Sequence, residues 1–352
     1  MSPAVAATAL ELAARRRGMA RLWVARGGET VLDEAVGCPA DALFLLFSAG
    51  KPLTALAVHH LAESGLIELD APVCTYWPEY ARGGKREVSV RHVLQHRSGA
   101  PTSTGTIVGD ARIMTDWDRS IAAAERAHLR WPAGEVPAYH ILNFGFVLGE
   151  LVRRVTGMDL AQYVRKVLLD PLGLRDTHLG LPREQEHRLA PLRVHSGGPA
   201  SYLRSAYFNR PAVRTAVVPA ATVTATAADL GRLYRMLLLG GTIDGIRVLR
   251  PETVASALRP TTARGETDRL LRIPVRWAQG FQLGGAAGRG ATAMGTSPDP
   301  GTFGHNGSYV CSGWADPGRD LVCVYLTNLV VGRADGERHH AAVSDAVLRE
   351  FG

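Results

Sequence analysis

Strand-like segments lie at both ends of this chain, and helix-like segments lie between them. Near the N terminus, Arg21–Ala25 and Thr30–Leu32 alternate weakly around a Gly-Gly pair, which predicts a β-hairpin. Near the C terminus, Tyr309–Asp316 and Asp320–Asn328 flank a Pro-Gly-Arg turn and predict a second hairpin. Residues from about 85 to 180 have mostly helical spacing. This order predicts one α/β (α+β) domain with an antiparallel sheet built from both termini, and a mostly α-helical domain inserted between them.

The expected domain limits follow from that order. Residues 1–80 and 265–352 form the α/β domain with helices flanking its sheet, and residues 81–264 form the helical domain. Residues 284–304 are rich in Gly, Ala and Thr and predict a mobile loop. The apolar spacing predicts helices over Val5–Arg17, Leu53–Ser64, Val90–His96, Thr115–His128, Phe144–Thr156, Leu160–Leu169, Ala227–Leu239 and Arg338–Phe351.

Composition excludes several classes of protein. With 46% hydrophobic and 21% charged residues in 352, the chain has the makeup of an ordinary globular protein, and disorder is excluded. The net charge of +7 comes from scattered arginines without a basic tail, which argues against nucleic-acid binding.

The cysteines and the N-terminal segment bear on compartment. The four cysteines have no metal-binding spacing and are too few for a disulfide scaffold, so we expect buried free thiols. Glu11 interrupts the first apolar stretch, and no basic residue precedes that stretch, so no export signal is expected. No apolar run reaches the length of a membrane span, so we expect a cytoplasmic protein that does not bind membranes.

Ser48-Ala49-Gly50-Lys51 is the first candidate for chemistry. Pro52 is tolerated only in the first turn of a helix, so a helix should begin at about Ser48 or Ala49. Residues three apart share a helix face, which brings the Ser48 hydroxyl near the Lys51 amine. The positive end of the helix dipole and burial both favour a neutral amine, and a neutral amine can act as general base toward the serine.

Lysine is rare in this chain, which makes Lys51 stand out. Lys51, Lys85 and Lys166 are the only lysines, and all other basic residues are arginine. Lys85 lies in a polar turn and Lys166 late in an amphipathic helix, so arginine should serve equally well at both. Arginine cannot give up its proton near neutral pH, so only Lys51 has a chemical reason to be lysine.

Other interpretations of these motifs fail on individual residues. Gly50-Lys51 resembles the end of a phosphate loop, but Leu45 replaces its first Gly and Pro52 its Ser or Thr. His92 and His96 have zincin-like spacing without the Glu that supplies the base, so packing or anchoring roles are expected. No Gly-x-Ser-x-Gly elbow is present, which argues against an α/β-hydrolase.

Several motifs in the same order resemble the serine β-lactamase and penicillin-binding-protein superfamily. The Ser-x-x-Lys block and the segment after it resemble the class C branch of that superfamily. The motifs as a whole are closest to those of family VIII carboxylesterases and lovastatin-type acyltransferases. The resemblance runs from about residue 20 to 350 and implies a β-lactamase/transpeptidase-like fold with its active site in the cleft between the two domains. The similar blocks are Phe47–Ala55, Gly65–Val73, Val90–Gly99, Pro132–Gly134 with Tyr139, Asp170–Leu174 and Phe303–Gly307.

The resemblance assigns further site residues. Tyr139 takes the place of the family's catalytic tyrosine, with Ile141 where an Asn is expected, and Tyr139-His140 is similar to family VIII carboxylesterases. A phenol can relay protons between Lys51, Ser48 and the leaving group. His140 is expected to contact substrate, and loss of the Asn argues against β-lactam turnover.

His305-Asn306-Gly307 stands where the family has Lys-Thr-Gly. A mostly neutral histidine recognises a substrate carboxylate less well than lysine does, which argues against D,D-peptidase and β-lactamase activity. His305, Asn306 and Gly307 are expected to bind substrate, with Gly307 allowing its close approach. The backbone N–H groups of Ser48 and Ser308 would form the oxyanion hole.

The sequence therefore predicts a serine acyl hydrolase that acts through a Ser48 acyl-enzyme on a small ester, thioester or amide, without metal or organic cofactor. One alternative is an acyltransferase that takes its acyl group from a thioester, in which case an acyl carrier protein is a candidate partner. Another is a catalytically silent binding protein on the same scaffold.

Overall fold

The computed structural model describes residue 11 and residues 14–285 and 292–352. Most of the helix predicted for Val5–Arg17 therefore lies outside the described residues, as do residues 286–291 of the predicted mobile loop. Within these described ranges, no helix is both long enough and apolar enough to cross a membrane.

The strands range from two to eight residues. In chain order they are β1 (Ala20–Arg26), β2 (Glu29–Val36), β3 (Phe44–Leu45), β4 (His178–Leu179), β5 (Arg193–Val194), β6 (Val223–Ala225), β7 (Thr242–Ile243), β8 (Ile246–Arg247), β9 (Gln282–Leu283), β10 (Phe303–Gly307), β11 (Cys311–Asp316), β12 (Leu321–Thr327) and β13 (Leu329–Val330).

The helices occupy most of the middle of the chain and its C-terminal end. They are α1 (Lys51–Glu63), α2 (Val90–Leu94), α3 (Ile107–Ile113), α4 (Trp117–Arg126), α5 (Asn143–Thr156), α6 (Leu160–Val164), α7 (Asp170–Leu172), α8 (Pro199–Phe208), α9 (Pro211–Arg214), α10 (Ala227–Leu238), α11 (Pro251–Ala257) and α12 (Arg333–Phe351). A π-helical turn, Arg165–Leu169, joins α6 to α7, and 3-10 turns occur at Phe47–Gly50, Val73–Thr75, Pro78–Ala81, Lys85–Glu87 and Arg183–Arg188.

The main sheet has six strands in the order β2-β1-β12-β11-β10-β9, and all neighbours in it are antiparallel. Strands β1 and β12 pair over their full length, from Ala20 with Thr327 to Arg26 with Leu321. The two ends of the chain thus meet inside one sheet, which confirms the predicted fold class.

The predicted helices within the described residues are present, with shifted ends. α12 begins at Arg333 rather than Arg338, and the predicted Leu160–Leu169 helix changes to a π-turn after Val164. The helix α8 was missed because its apolar residues do not mark a buried face. Tyr202 and Leu203 are exposed, whereas Ser201 and Ser205 are buried, so no apolar period is visible.

Helix α10 packs on the main sheet although it lies within 81–264. A Cβ on Gly231 of this helix would lie 2.3 Å from the Trp23 ring of β1, and one on Gly313 of β11 would lie 2.5 Å from the Tyr234 ring. Glycine is needed at both contacts because helix and sheet approach closely there. The domain limits themselves stay a prediction.

The four cysteines are free thiols, as predicted, but only two of them are fully buried. Cys311 and Cys323 lie inside the main sheet, while Cys38 and Cys74 are partly exposed.

Candidate active site

Ser48 lies in a tight turn that connects β3 to α1. The N–H of Leu46 donates to the Val223 carbonyl at 2.8 Å, which fixes where β3 ends. Phe47 then has φ of +49°, a left-handed conformation that is strained for a bulky residue. Its buried ring packs edge-on against Phe208 at 4.8 Å between centroids, which helps to hold the strained turn. Ser48 is left partly exposed at the surface of the site.

The helix after Ser48 begins slightly later than predicted. The α-helix starts at Lys51, with Pro52 in its first turn, and Ser48 belongs to the 3-10 turn Phe47–Gly50. Pro52 has no N–H for an α-helical bond, so the preceding residues close a tighter turn instead. The predicted contact still forms, because Lys51 Nζ lies 2.9 Å from Ser48 Oγ.

Lys51 has two further hydrogen-bond partners besides Ser48. Its fully buried amine donates to the Ile141 carbonyl at 2.8 Å and to the Ala220 carbonyl at 3.4 Å. Burial lowers the pKa of Lys51 well below its usual value, which favours the neutral amine. A neutral amine satisfies both carbonyls with its two N–H groups and keeps one lone pair, to which the Ser48 hydroxyl can donate.

Tyr139 lies beside this pair, as expected. Lys51 Nζ is 4.8 Å from the centre of the Tyr139 ring. Burial raises the pKa of the Tyr139 phenol, and the neighbouring Ser48 hydroxyl offsets part of that rise. Ser48 and Lys51, from one segment, and Tyr139, from another, are thus brought together.

His305 lies on β10 at the edge of the same group. Its ring centre is 6.2 Å from that of Tyr139. Burial and, to a smaller extent, the nearby Lys51 lower the pKa of His305 to about 3, although the Asn306 carbonyl partly opposes them. Its Nδ1 lies 2.8 Å from the Asn306 carbonyl, so Nδ1 carries the proton and Nε2 has a free lone pair. His305 is therefore a neutral acceptor.

Asn306 and Gly307 also make contacts within the protein that were not predicted. The Asn306 backbone N–H and one side-chain N–H donate to Gln282 Oε1 at 3.3 and 2.9 Å, which fixes the side chain beside β9. A Cβ on Gly307 would lie 1.8 Å from the Leu46 carbonyl. The turn that carries Ser48 thus fills the space beside Gly307, so packing requires a glycine here, and its predicted role in substrate approach stays a prediction.

The backbone around Ser48 and Ser308 suits the predicted oxyanion hole. Among the described residues, neither N–H has a hydrogen-bond acceptor, and both residues are partly exposed. Ser308 has φ of +52° and Tyr309 of +53°, an unusual pair that turns the chain directly after β10. The close approach of Gly307 to Leu46 places the two N–H groups on adjoining segments.

His140 does not occupy the substrate-facing position predicted for it. Its fully buried ring bonds to Ser98 Oγ through Nε2 and to the Ala138 carbonyl at 2.6 Å through Nδ1. Both nitrogens are used inside the protein, so this ring offers no hydrogen bond to a substrate. Its contacts instead anchor the segment that carries Tyr139.

The structural roles predicted for His92 and His96 are confirmed. His92 caps α2, with its N–H donating to Ser89 Oγ at 3.1 Å and its Nδ1 accepting from the Ser89 N–H at 3.2 Å. His96 is buried with its ring 4.8 Å from that of Tyr139.

Trp277 and two backbone carbonyls belong to the site but were not predicted. The Trp277 ring stacks on Tyr139 at 5.0 Å with only 4° between the planes. The Ile141 and Ala220 carbonyls hold Lys51. Backbone groups carry no residue signature, and nothing in the pattern around Trp277 distinguishes it from a core tryptophan.

Lys85 contradicts its prediction as a surface cation. It is fully buried, and its amine donates to three backbone carbonyls: those of Arg82 at 2.6 Å, Glu125 at 3.0 Å and Ala127. The turn Lys85–Glu87 looks polar in sequence, but α4 folds over it and covers the lysine. Burial lowers the pKa of Lys85 to about 8, and the Glu125 carboxylate partly opposes this.

Potential metal ligands do not converge within the described ranges of the chain. No group of three or more His, Cys, Asp or Glu side chains there is arranged to hold a metal ion.

Known proteins resemble the chain over nearly its whole length. The family model described as Beta-lactamase matches residues 5–348. An esterase/beta-lactamase, LipL of Mycobacterium tuberculosis, is 32% identical over 345 residues, which cover 86% of this chain and 75% of LipL.

Solved structures resemble the fold equally well. The crystal structure of a family VIII carboxylesterase has a TM-score of 0.82 at 28% identity and covers 97% of this chain and 96% of its own. A penicillin-binding protein homologue from Caulobacter crescentus has a TM-score of 0.83 at 28% identity, with 99% and 98% covered.

Proposed function

Because this chain belongs to the serine β-lactamase and penicillin-binding-protein superfamily, we propose that it is a serine ester hydrolase with Ser48 as nucleophile. The observation that carries the proposal is the contact of a fully buried amine with the Ser48 hydroxyl. Lys51 Nζ lies 2.9 Å from Ser48 Oγ, and its burial favours the neutral form, whose lone pair can take the serine proton. A hydroxyl in that position is activated for attack.

The proposed acylation begins with proton transfer from Ser48 Oγ to Lys51 Nζ as the oxygen attacks the ester carbonyl. The N–H groups of Ser48 and Ser308 bind the oxyanion that forms. Collapse of the intermediate breaks the bond to the alcohol, which leaves with a proton passed from Lys51 through the Tyr139 phenol. Lys51 is then neutral again beside the acyl-enzyme.

The proposed deacylation repeats these steps with water. Lys51 takes a proton from the attacking water, the same two N–H groups hold the second oxyanion, and Ser48 leaves with the proton returned to it. The products are a carboxylic acid and regenerated Ser48.

Esters fit this site better than β-lactams or peptidoglycan peptides. His305 is neutral where a permanent cation would bind a substrate carboxylate. Ile141 contributes its carbonyl to Lys51, and its side chain cannot bond to a substrate amide. LipL carries the name esterase/beta-lactamase, and the structurally similar family VIII protein is named a carboxylesterase, so both names include ester hydrolysis.

Mass spectrometry after incubation with p-nitrophenyl butyrate or an alkyl phosphonate tests the proposal. We expect one acyl or phosphonyl group on Ser48, release of p-nitrophenol, and neither in Ser48→Ala with an unchanged circular dichroism spectrum. A folded wild-type protein that gains no adduct would support the silent binding protein instead.

Acyl transfer remains an alternative for the second half of the reaction. Adding an alcohol or amine during turnover distinguishes it, because a transferase forms the new ester or amide faster than the free acid. A cytoplasmic location, and an acyl carrier protein as partner if transfer is found, remain part of the proposal.

A further inference from the structure

Asp268 is a buried carboxylate that no step of the proposed reaction uses. It is 0% exposed. One of its oxygens accepts from the N–H groups of Leu270 and Leu271, both at 2.9 Å, and the other accepts from the indole Nε1–H of Trp277 at 3.0 Å. These partners are all donors, and the Tyr139 backbone N–H is a further donor to the same carboxylate. Burial raises the pKa of Asp268, and the four donors oppose that rise because they favour the ionised carboxylate.

The indole that Asp268 holds is the one stacked on Tyr139. The two ring planes differ by 4° and their centres are 5.0 Å apart. His96 closes the arrangement, with its ring edge-on to Tyr139 at 4.8 Å and to Trp277 at 4.7 Å. A planar ring held in a stack can still slide, and the Nε1 hydrogen bond removes that freedom from the indole.

The segment that carries Asp268 is tied to the segment that carries Tyr139. The Arg269 N–H donates to the Pro137 carbonyl at 2.8 Å. Farther along, the Arg97 guanidinium bonds to the Glu266 carboxylate at 2.6 Å and to the Thr261 carbonyl at 3.1 Å. The segment 261–277 is thus fixed to the same part of the protein as the phenol.

We infer that Asp268 is the positioning residue of the Tyr139 phenol and acts through the Trp277 indole. The carboxylate fixes the indole by its N–H, the indole fixes the plane of the phenol ring, and the phenol hydroxyl is kept in line with Ser48 and Lys51. The inference rests on the proposed function, in which this phenol passes a proton to the leaving group. Small errors in the position of a relay group slow the chemical step far more than they weaken substrate binding.

Four variants test the chain of contacts, with p-nitrophenyl butyrate as substrate and kcat expressed per Ser48 that reacts with phosphonate. Asp268→Asn sets an amide N–H against the indole N–H, and we expect kcat to fall about tenfold with KM within twofold. Trp277→Phe keeps a ring against Tyr139 but loses the N–H that Asp268 holds, so we expect a loss of about tenfold, whereas Trp277→Leu also removes the ring and should lose about thirtyfold.

The double variant Asp268→Asn with Trp277→Phe decides whether the effect passes through the indole. Phenylalanine has no N–H to clash with the amide, so we expect kcat of the double variant to match that of Trp277→Phe alone. If the two single effects multiply instead, or if Asp268→Asn and Trp277→Leu both keep wild-type kcat, the inference is wrong. Hydrolysis by the wild type is measured before any variant is compared, because its absence would refute the proposed function itself.

Discussion

Lys51 and Lys85 are both fully buried and are both held by backbone carbonyls, yet their third partners differ. Lys85 has three carbonyl partners, which need the three N–H groups of an ammonium. Lys51 has two carbonyl partners and a hydroxyl, and a hydroxyl, unlike a carbonyl, can also donate to a neutral amine. Replacing one carbonyl by a serine hydroxyl is therefore what distinguishes the structural cation from the proposed general base.

The comparison also shows that burial alone does not identify a catalytic lysine. Desolvation lowers the pKa of both amines, and the effect is greater at Lys51. At Lys85 the Glu125 carboxylate offsets part of the shift, and no carboxylate plays this part for Lys51. The partner set, counted as donors and acceptors, distinguishes the two sites more directly than the burial does.

Replacing Lys51 by arginine should have the largest effect on activity of any lysine replacement. Lys51→Arg keeps a positive charge but removes the base, so we expect kcat/KM on p-nitrophenyl butyrate to fall about 10³-fold. Lys166→Arg, at an exposed position, is the matched control and should be unaffected. Activity within tenfold of wild type for Lys51→Arg would exclude Lys51 as the base.

Removing the amine at position 85 should affect stability instead of catalysis. Lys85→Met leaves three buried carbonyls without a donor, so we expect the free energy of unfolding to fall by about 2–3 kcal/mol. We expect kcat per folded molecule to stay within about twofold of wild type. Urea unfolding followed by fluorescence measures the first quantity, and a loss of kcat comparable to that of Lys51→Arg would show that the two sites are not distinct.

The scarcity of lysine allows both protonation states to be measured directly. With only three lysines in 352 residues, a protein labelled with ¹³C at the lysine Cε should give three resolvable NMR signals. We expect the Lys85 signal to titrate with a pKa of about 8, and the Lys51 signal to show a neutral amine already at pH 7. Lys→Arg variants assign the signals. An ammonium signal from Lys51 at pH 7 would contradict the hydrogen-bond assignment.

The lowered pKa of Lys85 predicts how the free energy of unfolding depends on pH. The ordinary pKa of a lysine is 10.5, and burial lowers the pKa of Lys85 in the folded protein to about 8. Between these values the unfolded chain binds more protons, so the contribution of Lys85 to the free energy of unfolding rises with pH and is flat below about pH 8. Comparing urea unfolding of wild type and Lys85→Met across this window isolates the contribution.

The sequence predicted the three residues of the proposed catalytic group better than it predicted their surroundings. Ser48, Lys51 and Tyr139 could be found because each belongs to a motif with a fixed spacing or order. Lys85 could not, because its partners are carbonyls, which look the same in every residue. His140 was assigned to substrate by its place beside Tyr139, and only the fold shows that Ser98 and Ala138 occupy its ring.

The fold shows a similar division. The main sheet and the long helices could be predicted because their apolar residues repeat with the period of the element. The helix α8 could not, since its exposed Tyr202 and Leu203 and buried Ser201 and Ser205 invert the usual pattern. Gly307 was recognised as important, but its reason, contact with the Leu46 carbonyl, depends on two segments far apart in sequence.

A lysine at position 305, beside Lys51, extends the comparison of Lys51 with Lys85 and has the smallest expected effect of these variants. His305→Lys puts a cation where the structure has a neutral acceptor, close to the ring of Tyr139. For substrates we compare p-nitrophenyl butyrate with mono-p-nitrophenyl glutarate, which carries a carboxylate. We expect the variant to raise the glutarate-to-butyrate ratio of kcat/KM about tenfold over wild type, the effect of one charge-assisted hydrogen bond.

The new cation should also act on Lys51 itself. A second positive charge nearby disfavours the ammonium form of Lys51, so the base stays neutral and kcat on the uncharged butyrate ester should change by less than about threefold. His187→Lys places the same charge at an exposed histidine and should leave the ratio unchanged. If His305→Lys left the ratio unchanged as well, the neutral histidine would not be what excludes carboxylates. If His305→Lys instead abolished turnover of both esters, catalysis would require a neutral group beside Lys51.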